Sequence, residues 1–160
     1  MPSIRAAMAV VGLALAPLAV ALPASAAPAQ ASAKLGQCDD AYPIKLQRGW
    51  QITLPGVWED YNFTCNLKLG DLPNRDPQNP FGNPTAAIKT LQRNLNFCYG
   101  STLRIDGKYG ANTAAVVKRV QTRHKLTADG VYGPQTRSAM NWRQYNPGTK
   151  VWTKTCSSPI

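Results

Sequence analysis

Hydrophobic and polar positions follow three different patterns along the 160 residues. The first is an apolar run over residues 6–22, interrupted only by Gly12 and Pro17 and preceded by the single side-chain charge of Arg5. It leads to Pro23 and Ala24-Ser25-Ala26, a small-x-small exit. That order predicts a secretory signal peptide over residues 1–26. The run is short for a span of about 20 residues and carries a proline, which argues against a membrane helix. No later segment is apolar enough to cross a bilayer, so no span is expected after processing. Residues 27–37 are small and read as a flexible linker.

The second pattern is helical. Asn83 suits an N-cap and Pro84 the first helical position, where no backbone N–H is needed. Ile88, Leu91, Gln92 and Leu95 recur at three- and four-residue spacing, with Lys89, Arg93 and Asn94 opposite. Gly100 marks the end. A second helix is predicted from Ala111 to about His124, with Val116, Val117 and Val120 inward. A third runs from Pro134 to about Trp142 and buries Ala139 and Met140. The third pattern is alternation. Trp50, Ile52 and Leu54 alternate with polar residues before Pro55-Gly56, and residues 57–63 are again aromatic and β-branched. This predicts a hairpin around the Pro-Gly turn, inside an N-terminal extension of residues 38–64. Val151, Thr153 and Thr155 alternate with Trp152, Lys154 and Cys156, which suits an edge strand in a C-terminal tail of residues 146–160. Between these, Pro73, Pro77, Pro80 and Pro84 exclude regular structure and predict a surface loop.

An internal repeat lies across the helical part. Asp106-Gly107-Lys108-Tyr109-Gly110-Ala111-Asn112-Thr113 recurs 23 residues later as Asp129-Gly130-Val131-Tyr132-Gly133-Pro134-Gln135-Thr136. Each copy opens a predicted helix. The carboxylate of Asp106 or Asp129 suits a tight turn, where it accepts backbone N–H bonds. Gly107 and Gly130 suit positive φ. Each Tyr is expected to turn its ring into the core and keep its hydroxyl at the surface. Gly110 and Gly133 fall at N-caps, and Thr113 and Thr136 complete the pattern. A calcium loop needs several carboxylates close together, and each copy supplies one.

Charge and cysteines narrow the setting. The chain carries 18 Lys and Arg against 8 Asp and Glu, a formal +10. Processing removes only Arg5, so the mature chain keeps about +9 and suits an anionic partner. Four cysteines, Cys38, Cys65, Cys98 and Cys156, predict two disulfides in an exported protein. We expect Cys65–Cys98, clamping the proline-rich loop, and Cys38–Cys156, tying the outer segments together. The alternative, Cys38–Cys65 with Cys98–Cys156, remains open. No metal or other cofactor is expected, because the chain has one His and no C-x-x-C.

Leu91-Gln92, both D-G-x-Y-G-x-x-T copies, Val120-Gln121 and Leu126 resemble the bacterial peptidoglycan-binding domain family over roughly residues 86–142. The resemblance implies a mainly α fold: a small three-helix bundle with short β or irregular ends, here stapled by two disulfides. The domain would span residues 65–145, Leu69-Gly70-Asp71 approaching the first helix and residues 72–83 forming a proline-rich insertion. It also implies peptidoglycan as the partner at the bacterial cell wall; the positive charge suits associated anionic wall polymers as well, and a monomer is expected. The candidate ligand residues are Tyr99, Arg104, Tyr109, Gln121, Arg123, Tyr132 and Arg137.

No catalytic residues are expected. His124 alone cannot build a zinc peptidase site, the cysteines pair without remainder, and Glu59, the only Glu, has no opposed carboxylate in view. The main expectation is therefore a secreted, non-catalytic wall-binding protein. The alternative is an exported antimicrobial or inhibitor effector that uses the same module for targeting and residues 38–64 for action. Nucleic-acid binding is not expected, for want of a recognisable motif.

Overall fold

The computed structural model describes residues 35–58, 62–71 and 83–158. The expected signal peptide, most of the linker and residues 72–82 lie outside them. Seven principal elements follow in order: β1 (Asp40–Lys45), β2 (Gln51–Gly56), α1 (Pro84–Tyr99), α2 (Ala111–Arg123), α3 (Pro134–Ala139), β3 (Trp142–Asn146) and β4 (Val151–Ser157).

The helices begin where local chemistry places them. Asn83 Oδ1 accepts the Ala86 N–H at 3.3 Å, Pro84 follows, and Gly100 closes α1. Pro134 opens α3 in the same way. Ala87, Ile88, Leu91 and Leu95 are fully buried along one face of α1. That face packs on β1, β2 and β3, while α1 also meets α2. Val116, Val117 and Val120 fill the inner side of α2, as their spacing predicts.

The mainly α expectation is overturned. The four strands form one antiparallel sheet in the order β1-β2-β3-β4, so the fold is mixed. Its central pairing brings Gln51 opposite Tyr145, joining the segment before the helices to the segment after them. The two ends thus form one layer against α1, with Ile52, Leu54 and Trp142 in the shared core.

Two local expectations are also corrected. The hairpin pairs β1 with β2, and its turn is a short 3-10 segment, Gln47–Gly49, in which Arg48 and Gly49 take φ of 57° and 76°. Pro55 and Gly56 lie inside β2, facing Ala41 and Asp40. The third helix stops at Ala139, because Met140 is already extended (ψ 150°) and Trp142 starts β3. Trp142 is nonetheless buried, its indole N–H donating to the Arg137 carbonyl at 3.2 Å.

The expected disulfides are corrected in the same sense. The bonds are Cys38–Cys65 and Cys98–Cys156, in place of Cys65–Cys98 and Cys38–Cys156. Cys38 lies beside the 65–67 segment because Cys38 N–H donates to the Asn66 carbonyl at 2.9 Å. Cys156 stands opposite Arg143 in the β3–β4 pair, and the Arg143 N–H donates to Asn94 of α1, one turn before Cys98. Sheet pairing therefore carries Cys156 to α1 and away from Cys38.

Candidate functional site

The repeat builds two equivalent turns, each clamped by a buried glutamine. In the first, Gln92 Nε2 donates to Asp106 Oδ1 (3.0 Å), the Lys108 carbonyl (3.1 Å) and Thr113 Oγ1 (3.4 Å), and Oε1 accepts the Gly107 N–H (3.0 Å). In the second, Gln121 Nε2 donates to Asp129 Oδ1 (2.7 Å), the Val131 carbonyl (2.9 Å) and Thr136 Oγ1 (3.1 Å), and Oε1 accepts the Gly130 N–H (2.8 Å). Lys108 N–H and Val131 N–H close the two turns onto the same carboxylates. The Lys108 N–H bond, followed by the Gln92 bond, holds Asp106 below the ordinary carboxylate range. Gly107 and Gly130 have φ of 77° and 78°. A Cβ at Gly130 would also meet the Ala114 carbonyl at 3.2 Å and the Lys118 side chain.

The segment before α1 stitches the copies together. Leu67 exchanges both backbone bonds with Tyr132 at 2.8 Å, Gly70 N–H donates to the Tyr109 carbonyl, and Tyr109 N–H donates to that of Asp71. The tyrosines depart from expectation, since both are 1% exposed and no hydroxyl reaches the surface. Tyr109 donates to the Gly130 carbonyl of the next copy at 2.9 Å. No third copy follows Tyr132, and its hydroxyl has no partner among the described residues.

The seven candidate ligand residues therefore separate. Tyr109, Gln121 and Tyr132 are buried architecture. Arg137 is committed to the Phe63 carbonyl at 2.6 Å and packs on the Phe63 ring. Arg104 is exposed on the loop before the first turn. At the surface, Tyr99 and Arg123 come together in a hollow of about 140 Å³ between α1 and α2 completed by Val116, Arg119 and Val120. The Arg123 guanidinium lies 5.7 Å from the Tyr99 ring centre. Tyr99 Oη accepts the Asn141 N–H at 2.7 Å and pairs with His124 Nε2 at 2.9 Å. The sequence signal for Arg119 was absent, since it is one of several basic residues on α2.

Burial, followed by the charge of Arg123, lowers the proton affinity of His124 below its ordinary value of 6.5. As the pH falls past about 6.5, the unfolded chain takes up this proton before the folded one does. Stability is therefore expected to decline from pH 6.5 downward until folded His124 also titrates. Thermal unfolding of the protein and of His124→Gln checks this, the variant showing a flatter profile across the same window.

A second, larger groove of about 630 Å³ lies between α1 and the sheet. Phe97, Ile105 and Trp152 line it, with Arg93 and Arg143 among its polar groups. The sequence reading did not single out any of these five residues as functional. They stand 59 positions apart from Arg93 to Trp152 in the sequence, and only strand pairing brings them together.

Comparison with known proteins agrees with the clamped repeat. Residues 84–140 match the family model described as "Putative peptidoglycan binding domain", the family that the sequence pattern resembles. A stretch of 36 residues is 56% identical to the "Probable N-acetylmuramoyl-L-alanine amidase" of Bacillus licheniformis and 53% identical to the "N-acetylmuramoyl-L-alanine amidase CwlL" of the same organism. The match covers 22% of this chain and 10% of each amidase, so the similarity reaches only a small part of those enzymes. No solved structure matches significantly.

Proposed function

We propose that this protein is an exported, non-catalytic protein of the bacterial cell wall, whose module over residues 84–140 grips peptidoglycan. The match of that segment to the peptidoglycan-binding family carries the reading. The formal charge of about +9 left after processing adds long-range attraction to an anionic wall. Two disulfides suit an oxidising compartment beyond the cytoplasm. The amidase stretches share sequence with this chain over a tenth of their length, and the proposal borrows none of their catalysis. All four cysteines are bonded and His124 is engaged with Tyr99, which leaves neither as a ready nucleophile or base.

The contact surface we assign is the hollow that joins Tyr99, Arg119 and Arg123. Two guanidiniums beside a phenol ring suit the carboxylates and hydroxyls of a muropeptide. The oxidised protein is expected to sediment with purified insoluble peptidoglycan at moderate salt. Arg119→Ala with Arg123→Ala should cut the bound fraction severalfold without altering the fold. Absence of sedimentation by the unmodified chain would overturn the wall-binding reading. Release of soluble fragments from labelled peptidoglycan would overturn the non-catalytic one.

A further inference from the structure

The larger groove is built jointly by the helical module and the strands added around it. Its α1 wall supplies Thr90, Arg93 and Phe97, and its sheet wall supplies Thr53, Arg143 and Trp152. Phe97 is 41% exposed, Ile105 40% and Trp152 47%, so three large apolar side chains open onto one hollow. Exposed apolar surface gathered in a concavity marks a binding site more often than the same residues scattered singly.

Arg143 sits at the centre and is held in place. Its guanidinium lies 3.7 Å from the Phe97 ring centre and 5.2 Å from that of Trp152. Its Nε donates to the Thr153 carbonyl at 3.0 Å. That carbonyl is available because the β3–β4 register is irregular between Arg143 and Tyr145. Thr153 Oγ1 substitutes for a ladder partner by accepting the Gln144 N–H at 3.0 Å. Irregularities of this kind re-aim side chains at sites. With Nε spent, the two terminal nitrogens of Arg143 remain, and they form the fork that receives a carboxylate with two parallel bonds. Among the described residues, no acidic side chain lines the groove.

The remaining polar groups narrow the ligand class. Asn94 is spent on the Asn141 carbonyl and the Arg143 N–H. Asn96 is spent on the Leu103 backbone and Ser101. A peptide backbone needs donors and acceptors in alternation, and these two amides are already engaged. What the groove offers is two cationic donors, Arg93 and Arg143, beside the hydroxyls of Thr53 and Thr90, which donate and accept. An acceptor-rich ring with an apolar face and a carboxylate at its edge satisfies all of these at once.

We propose that the groove between α1 and the sheet binds an acidic glycan, with a hexuronate ring against Trp152 and its carboxylate on Arg143. This site is distinct from the hollow at Tyr99 and goes beyond peptidoglycan binding, so the two readings can fail separately. The test titrates the oxidised full chain with a hexuronate trisaccharide, with a neutral trisaccharide of N-acetylglucosamine and with an N-acetylmuramoyl peptide. Binding is read by calorimetry and by the indole N–H signals of Trp152 and Trp142. The hexuronate is expected to bind at least tenfold more tightly than either other probe, shifting the Trp152 signal. Trp152→Ala and Arg143→Gln should each weaken it at least tenfold, Arg143→Lys by less, and the Arg119→Ala, Arg123→Ala pair not at all. Equal binding of the neutral sugar, preference for the muramoyl peptide, or full affinity in Trp152→Ala would overturn the assignment. Trp152 is on an exposed edge strand, so that variant decides the matter even if Arg143→Gln misfolds.

Discussion

Replacing Gln121 with alanine is expected to destabilise the protein by about 3 kcal/mol, the sum of a cavity and an abandoned buried donor. Gln121 is 2% exposed and its amide makes four bonds that converge on one turn. Asp129 retains the Val131 N–H and Thr136 retains the Val131 carbonyl. The Gly130 N–H, which Gln121 Oε1 alone accepts, is left in the interior. Gln121→Glu isolates the donor, since it keeps the volume and replaces the amide with a carboxylate facing Asp129 at 2.7 Å. At neutral pH it should cost at least as much as alanine, and part of the loss should return near pH 4 as the new acid protonates. Urea denaturation at both pH values checks this, and Gln92→Ala should reproduce it in the first turn. A loss below about 1 kcal/mol in all three variants would show that the turns hold themselves.

Removing the Cys98–Cys156 bond is expected to cost about 4 kcal/mol, given a sequence separation of 58 residues and the loop entropy it withdraws from the unfolded chain. The shorter Cys38–Cys65 loop, with a separation of 27, should be worth slightly less. The larger loss also has a local character. β4 is an edge strand held by β3 on one side and by this bond to α1, and it carries Trp152. Denaturation of the Cys98→Ala, Cys156→Ala protein should show the loss, and the Trp152 indole signal should broaden while that of buried Trp142 persists. Non-reducing peptide mapping should recover Cys38 with Cys65 and Cys98 with Cys156. The opposite pairing would contradict the sheet as well as the bonds, because only the β3–β4 register brings Cys156 to α1.

How far the chain could be read in advance varies with the distance over which each feature is decided. Asn83, Pro84 and Gly100 were legible because capping acts within one turn. The two Asp-Gly turns were legible because a repeated pattern of eight residues imposes the same local geometry twice. Even there the tyrosine hydroxyls were misplaced. Whether Tyr109 Oη meets solvent or the Gly130 carbonyl depends on how the copies stack, which neither copy specifies alone. Gln92 and Gln121 were visible only as the Leu91-Gln92 and Val120-Gln121 pairs of the family resemblance, and Gln121 looked like a ligand residue until its four bonds were seen. The hairpin was sought at Pro55-Gly56, the strongest turn signal in that stretch, while the actual turn at Arg48-Gly49 carries a weaker one. Trp142 fitted a helical spacing with Ala139 as well as it fits a strand, and short apolar runs do not distinguish the two.

By itself, then, the sequence determined the helical module, its caps, its duplicated turns and the family it resembles, since all of these arise from interactions within about one repeat. Tertiary structure alone decided the rest. The pairing of β2 with β3 joins residues that flank the whole helical module, and no local pattern encodes such a partner. That pairing makes the two ends one sheet, and the β3–β4 pairing beside it sets the route of Cys156 to Cys98 and the groove in which Arg143 meets Phe97 and Trp152.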